Sequence, residues 1–127
     1  MKKTELKKLT LEEVEAYRAE LIDLSLKIHA NPELSLREVK ASRWLAEYLE
    51  GKGFEVKRGF CELPTAFKAS YGQGKPVIAY LAEYDALPKL GHACGHNIIA
   101  AAAAGAGVAT RTAVNQFRGR ILVIGTP

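Results

Sequence analysis

The sequence predicts an α/β fold, a three-layer α/β/α sandwich around a mixed sheet, and three observations predict it. The chain opens with two capping-box sequences, each followed by apolar residues at three- and four-residue steps. Short apolar or alternating runs fill its middle. An alanine-rich stretch, Asn97 to Ala109, lies between two unbroken apolar runs, Val77–Ala82 and Ile121–Ile124. That stretch is too long for a strand and rich in the strongest helix former. A helix joining two buried strands is a right-handed parallel crossover.

In chain order, Thr10-Leu-Glu-Glu13 is a capping box, and Val14, Tyr17, Leu21, Leu24 and Ile28 behind it share one helical face. Asn31-Pro32 stops that helix, because proline disfavours helical geometry in the residue before it. Ser35-Leu-Arg-Glu38 is a second capping box; its helix turns Ala41, Trp44, Leu45 and Tyr48 inward and ends near Gly51-Lys-Gly53. Phe54-Glu-Val-Lys57 alternates as a half-buried strand does, and Thr65–Tyr71 is a second strand. Gly72-Gln-Gly74 is a hairpin turn into Val77–Ala82, which reads as a strand buried on both faces. The pair Gly74-Lys75 is no phosphate loop, since Pro76 stands where a Ser or Thr is needed. Ile121–Ile124 is the last strand, again fully buried. There is no internal repeat and no low-complexity linker.

Composition excludes several function classes. At 127 residues the chain is about one domain, and 48% hydrophobic with 25% charged residues is the balance of an ordinary globular protein. The net charge of +4 is scattered, and Lys2-Lys3 and Lys7-Lys8 lack interleaved aromatics, so no nucleic-acid-binding stripe is present. Ile98–Ala109 is too short and too alanine-rich to span a bilayer. Met1–Thr10 is basic but is followed by a charged amphipathic segment, so we expect no export signal and a cytoplasmic protein. Two cysteines in that setting suggest one functional thiol and a bystander rather than a disulfide. Nothing in the sequence gives Cys61 a role.

The reactive side chains gather between Glu83 and His96, on the connection from a predicted strand to the alanine-rich helix. In open α/β sheets that carboxyl end is where ligands bind. Cys94-Gly95-His96 puts a thiol and an imidazole two residues apart on a turn that glycine permits, and the helix start beyond it favours the thiolate. Sulfur with ring nitrogen suits zinc or a similar late first-row ion. The same residues also allow a nucleophilic thiol, Cys94 activated by His92 or His96 and oriented by Asp85. A buried, inert cysteine and a helix-capping histidine are the bland reading of the motif.

Several blocks in order carry a family likeness: His29-Ala-Asn-Pro-Glu-Leu-Ser35, Leu63-Pro-Thr-Ala-Phe67, Glu83-Tyr-Asp-Ala-Leu-Pro88, Gly91-His-Ala-Cys-Gly-His-Asn97 and Val123-Ile-Gly-Thr-Pro127. Together they resemble the start of the M-twenty family of co-catalytic metallopeptidases, and within it the amidohydrolase branch with aminoacylase-like dipeptidases and p-aminobenzoyl-glutamate hydrolases. The resemblance implies a zinc-exopeptidase-like fold and makes Cys94 and His96 ligands of a two-metal site. It sets Asp85 close behind them as a supporting residue, leaves His92 without a metal, and gives His29 and Glu33 structural roles. Asn97 stands where the motif commonly has Asp, and some aminoacylase-like members share that Asn.

The resemblance also implies what this stretch does not carry: a general-base glutamate, further ligands, and a lid domain used for dimerisation. Residues 1–127 are then the N-terminal portion of one catalytic domain. The parent would hydrolyse an amide bond of an N-acyl amino acid or dipeptide-like substrate through a two-metal-activated water, while the chain alone would bind metal weakly and turn over nothing. Cys plus His leaves zinc, manganese, cobalt and nickel open. A non-catalytic fragment or a subunit of a split enzyme is the alternative. Ile121–Ile124, with the rest of the sheet absent, is expected to be a bare apolar edge that drives self-association.

Overall fold

The computed structural model describes all 127 residues. Its elements run α1 (Lys3–Ala16), α2 (Arg18–Ala30), α3 (Val39–Gly51), β1 (Glu55–Arg58), β2 (Phe67–Gln73), β3 (Val77–Glu83), α4 (His96–Gln116) and β4 (Gly119–Thr126), with a short 3-10 turn at Phe60–Glu62. The four strands form one mixed sheet in the order β1-β2-β4-β3. β1 pairs antiparallel with β2, and β2 antiparallel with β4, whereas β3 and β4 run parallel, joined by α4. The α/β class, the mixed sheet and the crossover helix are those the sequence predicts.

Strand order differs from expectation. β2 and β3 are adjacent in sequence but do not form a hairpin, because β4 lies between them. The apolar run Ile121–Ile124 is therefore an interior strand and not a bare edge, and the edge is β3. β3 is also not buried on both faces: Val77, Ile78 and Leu81 are each about half exposed, and Ala82 is its one buried residue. β4 instead alternates strictly, with Gly119, Ile121, Val123 and Gly125 buried and the residues between them half-buried. α2, α3 and α4 pack on one side of the sheet and share a single core with it, and α1 packs on α4. The opposite face carries Val77, Ala79 and Leu81 of β3 beside Leu122 and Ile124 of β4. The chain supplies two layers of the sandwich, and no helix of its own covers this second face.

The core is built from Leu24 and Ile28 of α2, Leu45 and Leu49 of α3, Val108 of α4, and Phe67, Ala69, Ile121 and Val123 of the sheet. Each fully buried aliphatic side chain among them contributes roughly 1.5–3 kcal/mol. Small residues on α4 let it lie close: a Cβ at Gly107 would meet Val123 Cγ2 at 2.5 Å, and one at Gly105 would meet Leu21 Cδ1 at 2.7 Å. α4 is 21 residues long and, by length and composition, apolar enough to cross a membrane, longer than the 98–109 run suggests; half of that apolar window is buried within the fold.

Both helix starts lie elsewhere than the capping boxes place them. The first helix begins at Lys3, and Thr10 sits inside it with its hydroxyl donating to the Leu6 carbonyl. A break at Tyr17 then separates α1 from α2. α3 begins at Val39, and Glu33 caps it: its two carboxylate oxygens accept the N–H groups of Lys40 and Ala41 at 3.0 and 2.9 Å. Glu38 is not at the surface to complete a box; it is fully buried.

Candidate metal centre

The side chains singled out by sequence lie at the carboxyl end of β3 and on the loop to α4. Gly95 caps α4 with φ of 78°, a left-handed conformation, and no neighbour lies within 4 Å of where its Cβ would be. Backbone geometry alone thus calls for glycine between Cys94 and His96. The loop is fixed from both sides. The Ala86 N–H donates to the Glu33 carbonyl at 2.7 Å, and Leu87 and Gly91 exchange backbone hydrogen bonds. Asn97, buried in the first turn of α4, donates to Ser25 Oγ of α2 at 3.0 Å.

His96 is held by two acids. Its Nδ1 lies 2.7 Å from Asp85 Oδ1 and 3.0 Å from the Asp85 carbonyl, so Nδ1 carries the proton and donates it there. Its Nε2 lies 3.1 Å from Glu83 Oε2. With Nδ1 committed, Nε2 is the nitrogen left to bind a cation, and the carboxylate–imidazole pair is the arrangement that orients a histidine ligand. Nε2 and the Glu83 carboxylate oxygen, 3.1 Å apart, are two donors that could share one cation. Sequence reasoning assigned Glu83 no role. The signal was present: it precedes Asp85 by two residues at a strand end, and strand periodicity sets i and i+2 on one side.

Cys94 is free and exposed one residue before the helix cap, open to solvent and not packed as a small hydrophobe. The structure gives it no hydrogen-bonded base, since both ring nitrogens of His96 face carboxylates. His92 lies behind the loop, its ring 6.3 Å from that of His29, with both ring nitrogens buried and unpartnered. Burial, then the charges of His29 and His96, push its pKa below the ordinary imidazole value, which favours the neutral form of His92.

Beneath Asp85 runs a second polar chain that sequence reasoning missed. Tyr84, fully buried and stacked 6.0 Å from Phe67, donates to the Thr65 carbonyl. The Thr65 hydroxyl donates to Glu38 Oε1 at 3.2 Å, while Glu38 Oε2 is buried without a partner. Burial raises the Glu38 pKa, and the nearby Asp85 charge adds to the rise. The capping-box pattern hid Glu38, because the same residue types serve at exposed helix starts.

The donor set suits a metal but is partial. A soft thiolate and an oriented imidazole are the right chemistry for zinc-like ions, with Glu83 as a further oxygen. Yet no three His, Cys, Asp or Glu side chains are grouped so as to hold an ion, and zinc wants about four donors. The site is one wall of a centre, solvent-open, with the Asp85 and His96 side chains 26% and 21% exposed.

An oriented imidazole beside an exposed thiol, at the strand ends of a mixed α/β sheet, is part of a donor set for a metal ion, and comparison gives the family. The chain is a homologue of the M-twenty peptidases and amidohydrolases. It is 39% identical over 121 residues to one subunit of the p-aminobenzoyl-glutamate hydrolase of Escherichia coli, covering 82% of this chain and 25% of that protein. It is 34% identical over 137 aligned positions to the mouse Xaa-Arg dipeptidase, covering 96% of this chain and 32% of that one. Among solved structures, a Bacillus subtilis protein described as a dinuclear metal binding peptidase of the M-twenty family superposes with a TM-score of 0.71 at 28% identity, over 89% of this chain and 36% of that one. No family model matches the chain. It spans about a quarter to a third of the length of these curated relatives.

Proposed function

We propose that residues 1–127 are the N-terminal portion of the catalytic domain of a cytoplasmic metal-dependent amidohydrolase, one that cleaves an amide bond in an N-acyl amino acid or dipeptide-like substrate. The observation that carries this reading is the Asp85–His96 pair, with the imidazole fixed at Nδ1 and its Nε2 turned toward Glu83. The curated relatives act, by their names, on p-aminobenzoyl-glutamate and on dipeptides ending in arginine, which supports a small amide substrate.

Cys94 and His96 would hold metal, with two ions in the complete centre and zinc the first choice for a sulfur–nitrogen pair. When bound, such ions activate a water and polarise the amide carbonyl. The chain's own residues do the preparing. Asp85 keeps the Nδ1 proton in place and fixes the ring plane, Gly95 sets the thiol and the ring on one turn, and Asn97 anchors that turn to α2. The general base, the remaining ligands and a lid domain belong, in this reading, to sequence outside these 127 residues. The Escherichia coli relative is by name one subunit of its enzyme, which supports work in a larger assembly.

The test is a pair of measurements. Cobalt added to the chain is expected to bind weakly and give a sulfur-to-metal absorption band that Cys94→Ser removes. The chain alone should not hydrolyse p-aminobenzoyl-glutamate or N-acetyl amino acids, whereas fusion to the remaining portion of the Escherichia coli relative should. Robust turnover by the chain alone, or no cobalt band, would overturn the proposal.

A further inference from the structure

We infer that Glu38, Thr65 and Tyr84 are positioning residues for the metal centre: from within the core they hold Asp85 where it selects the tautomer and the plane of the His96 ring. The inference rests on the reading of Cys94 and His96 as metal ligands. The first observation is a fully buried acid where packing alone would favour an apolar residue. Glu38 is 0% exposed, and its Oε2 has no hydrogen-bond partner. Burying a carboxyl group with one oxygen unpaired lowers stability, and departures of this kind gather at functional sites.

The second observation is where that acid leads. Its Oε1 accepts from the Thr65 hydroxyl at 3.2 Å, and the Thr65 carbonyl accepts from the Tyr84 hydroxyl. Tyr84 is fully buried, its ring is stacked on Phe67, and it stands between Glu83 and Asp85 in the chain. Alternation turns its side chain into the core while those of its two neighbours turn to the site. Fixing the Tyr84 hydroxyl therefore fixes the stretch of backbone from which both acids reach His96.

The third observation is that the hold on Asp85 closes on itself. On its other side the Ala86 N–H donates to the Glu33 carbonyl at 2.7 Å. Glu33 also caps α3 at Lys40 and Ala41, and the Ser42 N–H donates to the Glu38 carbonyl at 3.1 Å, so Glu33 and Glu38 are tied to the same helical turn. Asp85 is thus anchored through both of its chain neighbours by one short segment, residues 33–38. A carboxylate that orients a histidine ligand must itself be held in place, and linked hydrogen bonds reinforce one another.

Two readouts on the 127-residue chain test this, with urea unfolding giving the stability of each variant. The ring-nitrogen chemical shifts of His96, taken without metal at about pH 9 and so above the imidazole range, report which nitrogen carries the proton; cobalt titration reports affinity. Thr65→Val, Tyr84→Phe and Glu38→Met are each expected to move the ring from a single Nδ1–H tautomer to a mixture of both and to weaken cobalt binding by about tenfold. Thr65→Ser, which keeps the hydroxyl, should match the wild type in both. Ile121→Val, in the core at the end of β4 away from the site, should lower stability and leave both unchanged. A mixed ring in the wild type, lost stability with an unchanged ring in the three variants, Thr65→Ser behaving as Thr65→Val, or a ring disturbed equally by Ile121→Val would each overturn the inference. A wild-type Nδ1–H ring with no cobalt band would overturn the metal-ligand reading instead, and the ring shifts would still decide whether Asp85 is positioned from the core.

Discussion

Asp85 grips His96 at a single atom: Oδ1 stands 2.7 Å from Nδ1, and the Asp85 carbonyl supports the same nitrogen at 3.0 Å. One tautomer is thereby selected, and one nitrogen is left for an ion. Asp85→Ala should therefore lower cobalt or zinc affinity by about 10–100-fold, the usual cost of losing the partner behind a histidine ligand. Competitive titration against a chromophoric chelator measures it. The sulfur-to-cobalt band should survive in this variant, because Cys94 is untouched.

Glu38 offers a prediction in pH. Its folded pKa is raised by burial, with Asp85 adding to the rise, so above the carboxylate range of the unfolded chain the unfolded state holds fewer protons than the folded one. Stability then falls as pH climbs from the unfolded pKa toward the folded pKa and is level beyond it. Glu38→Gln removes this loss while keeping an acceptor for the Thr65 hydroxyl. The variant should be more stable than the wild type at pH 7 and should show a flatter dependence of Tm on pH above about pH 4.3. Thermal melts across the range from about pH 4 to about pH 8 give the comparison.

Gly125 lies where no side chain fits: a Cβ would run into the Phe67 ring at Cε1 and come within 2.8 Å of the Tyr84 hydroxyl. Both rings are fully buried and stacked, so neither can swing aside. Gly125→Ala should cost about 1–3 kcal/mol, the usual range for overpacking a core. Urea unfolding should show the lower midpoint with an unchanged slope.

Glu33 holds the first turn of α3 by two charge-assisted bonds, to Lys40 and Ala41. Glu33→Ala should destabilise the chain by about 1–2 kcal/mol, as loss of a helix cap does. Hydrogen exchange should localise the effect to the amides of Lys40 and Ala41. Ser35→Ala should change little, although the sequence pattern makes Ser35 the cap.

These two residues show where the sequence was legible and where it was not. Residue type and period were enough to give helices, strands and the crossover, because α4 could be nothing else between two apolar runs. They also brought Asp85, Cys94 and His96 to one loop. What they missed depends on which distant segment supplies a partner. Glu33 reaches across a turn to cap a helix that Ser35 could locally have capped, and Glu38 turns inward to meet Thr65, 27 positions away. The order of strands was misread for the same reason: the Gly72–Gly74 turn permits a hairpin, but β4 competes for the edge of β2 and wins with seven register pairs, running from Phe67–Gly125 to Gln73–Gly119. β3 looked doubly buried because its apolar content matches that of an interior strand.

That insertion of β4 between β2 and β3 has a temporal meaning. During synthesis β1 and β2 can zip together as soon as they emerge, but β3 has no neighbour to join until Gly119–Thr126 has also left the ribosome. The long-range pairings that close the sheet are the slow, entropically costly kind. Throughout that interval Val77, Ile78 and Leu81 stand uncovered, and the nascent polypeptide offers a sticky ribbon for as long as the eight-residue strand Gly119–Thr126 is still being made.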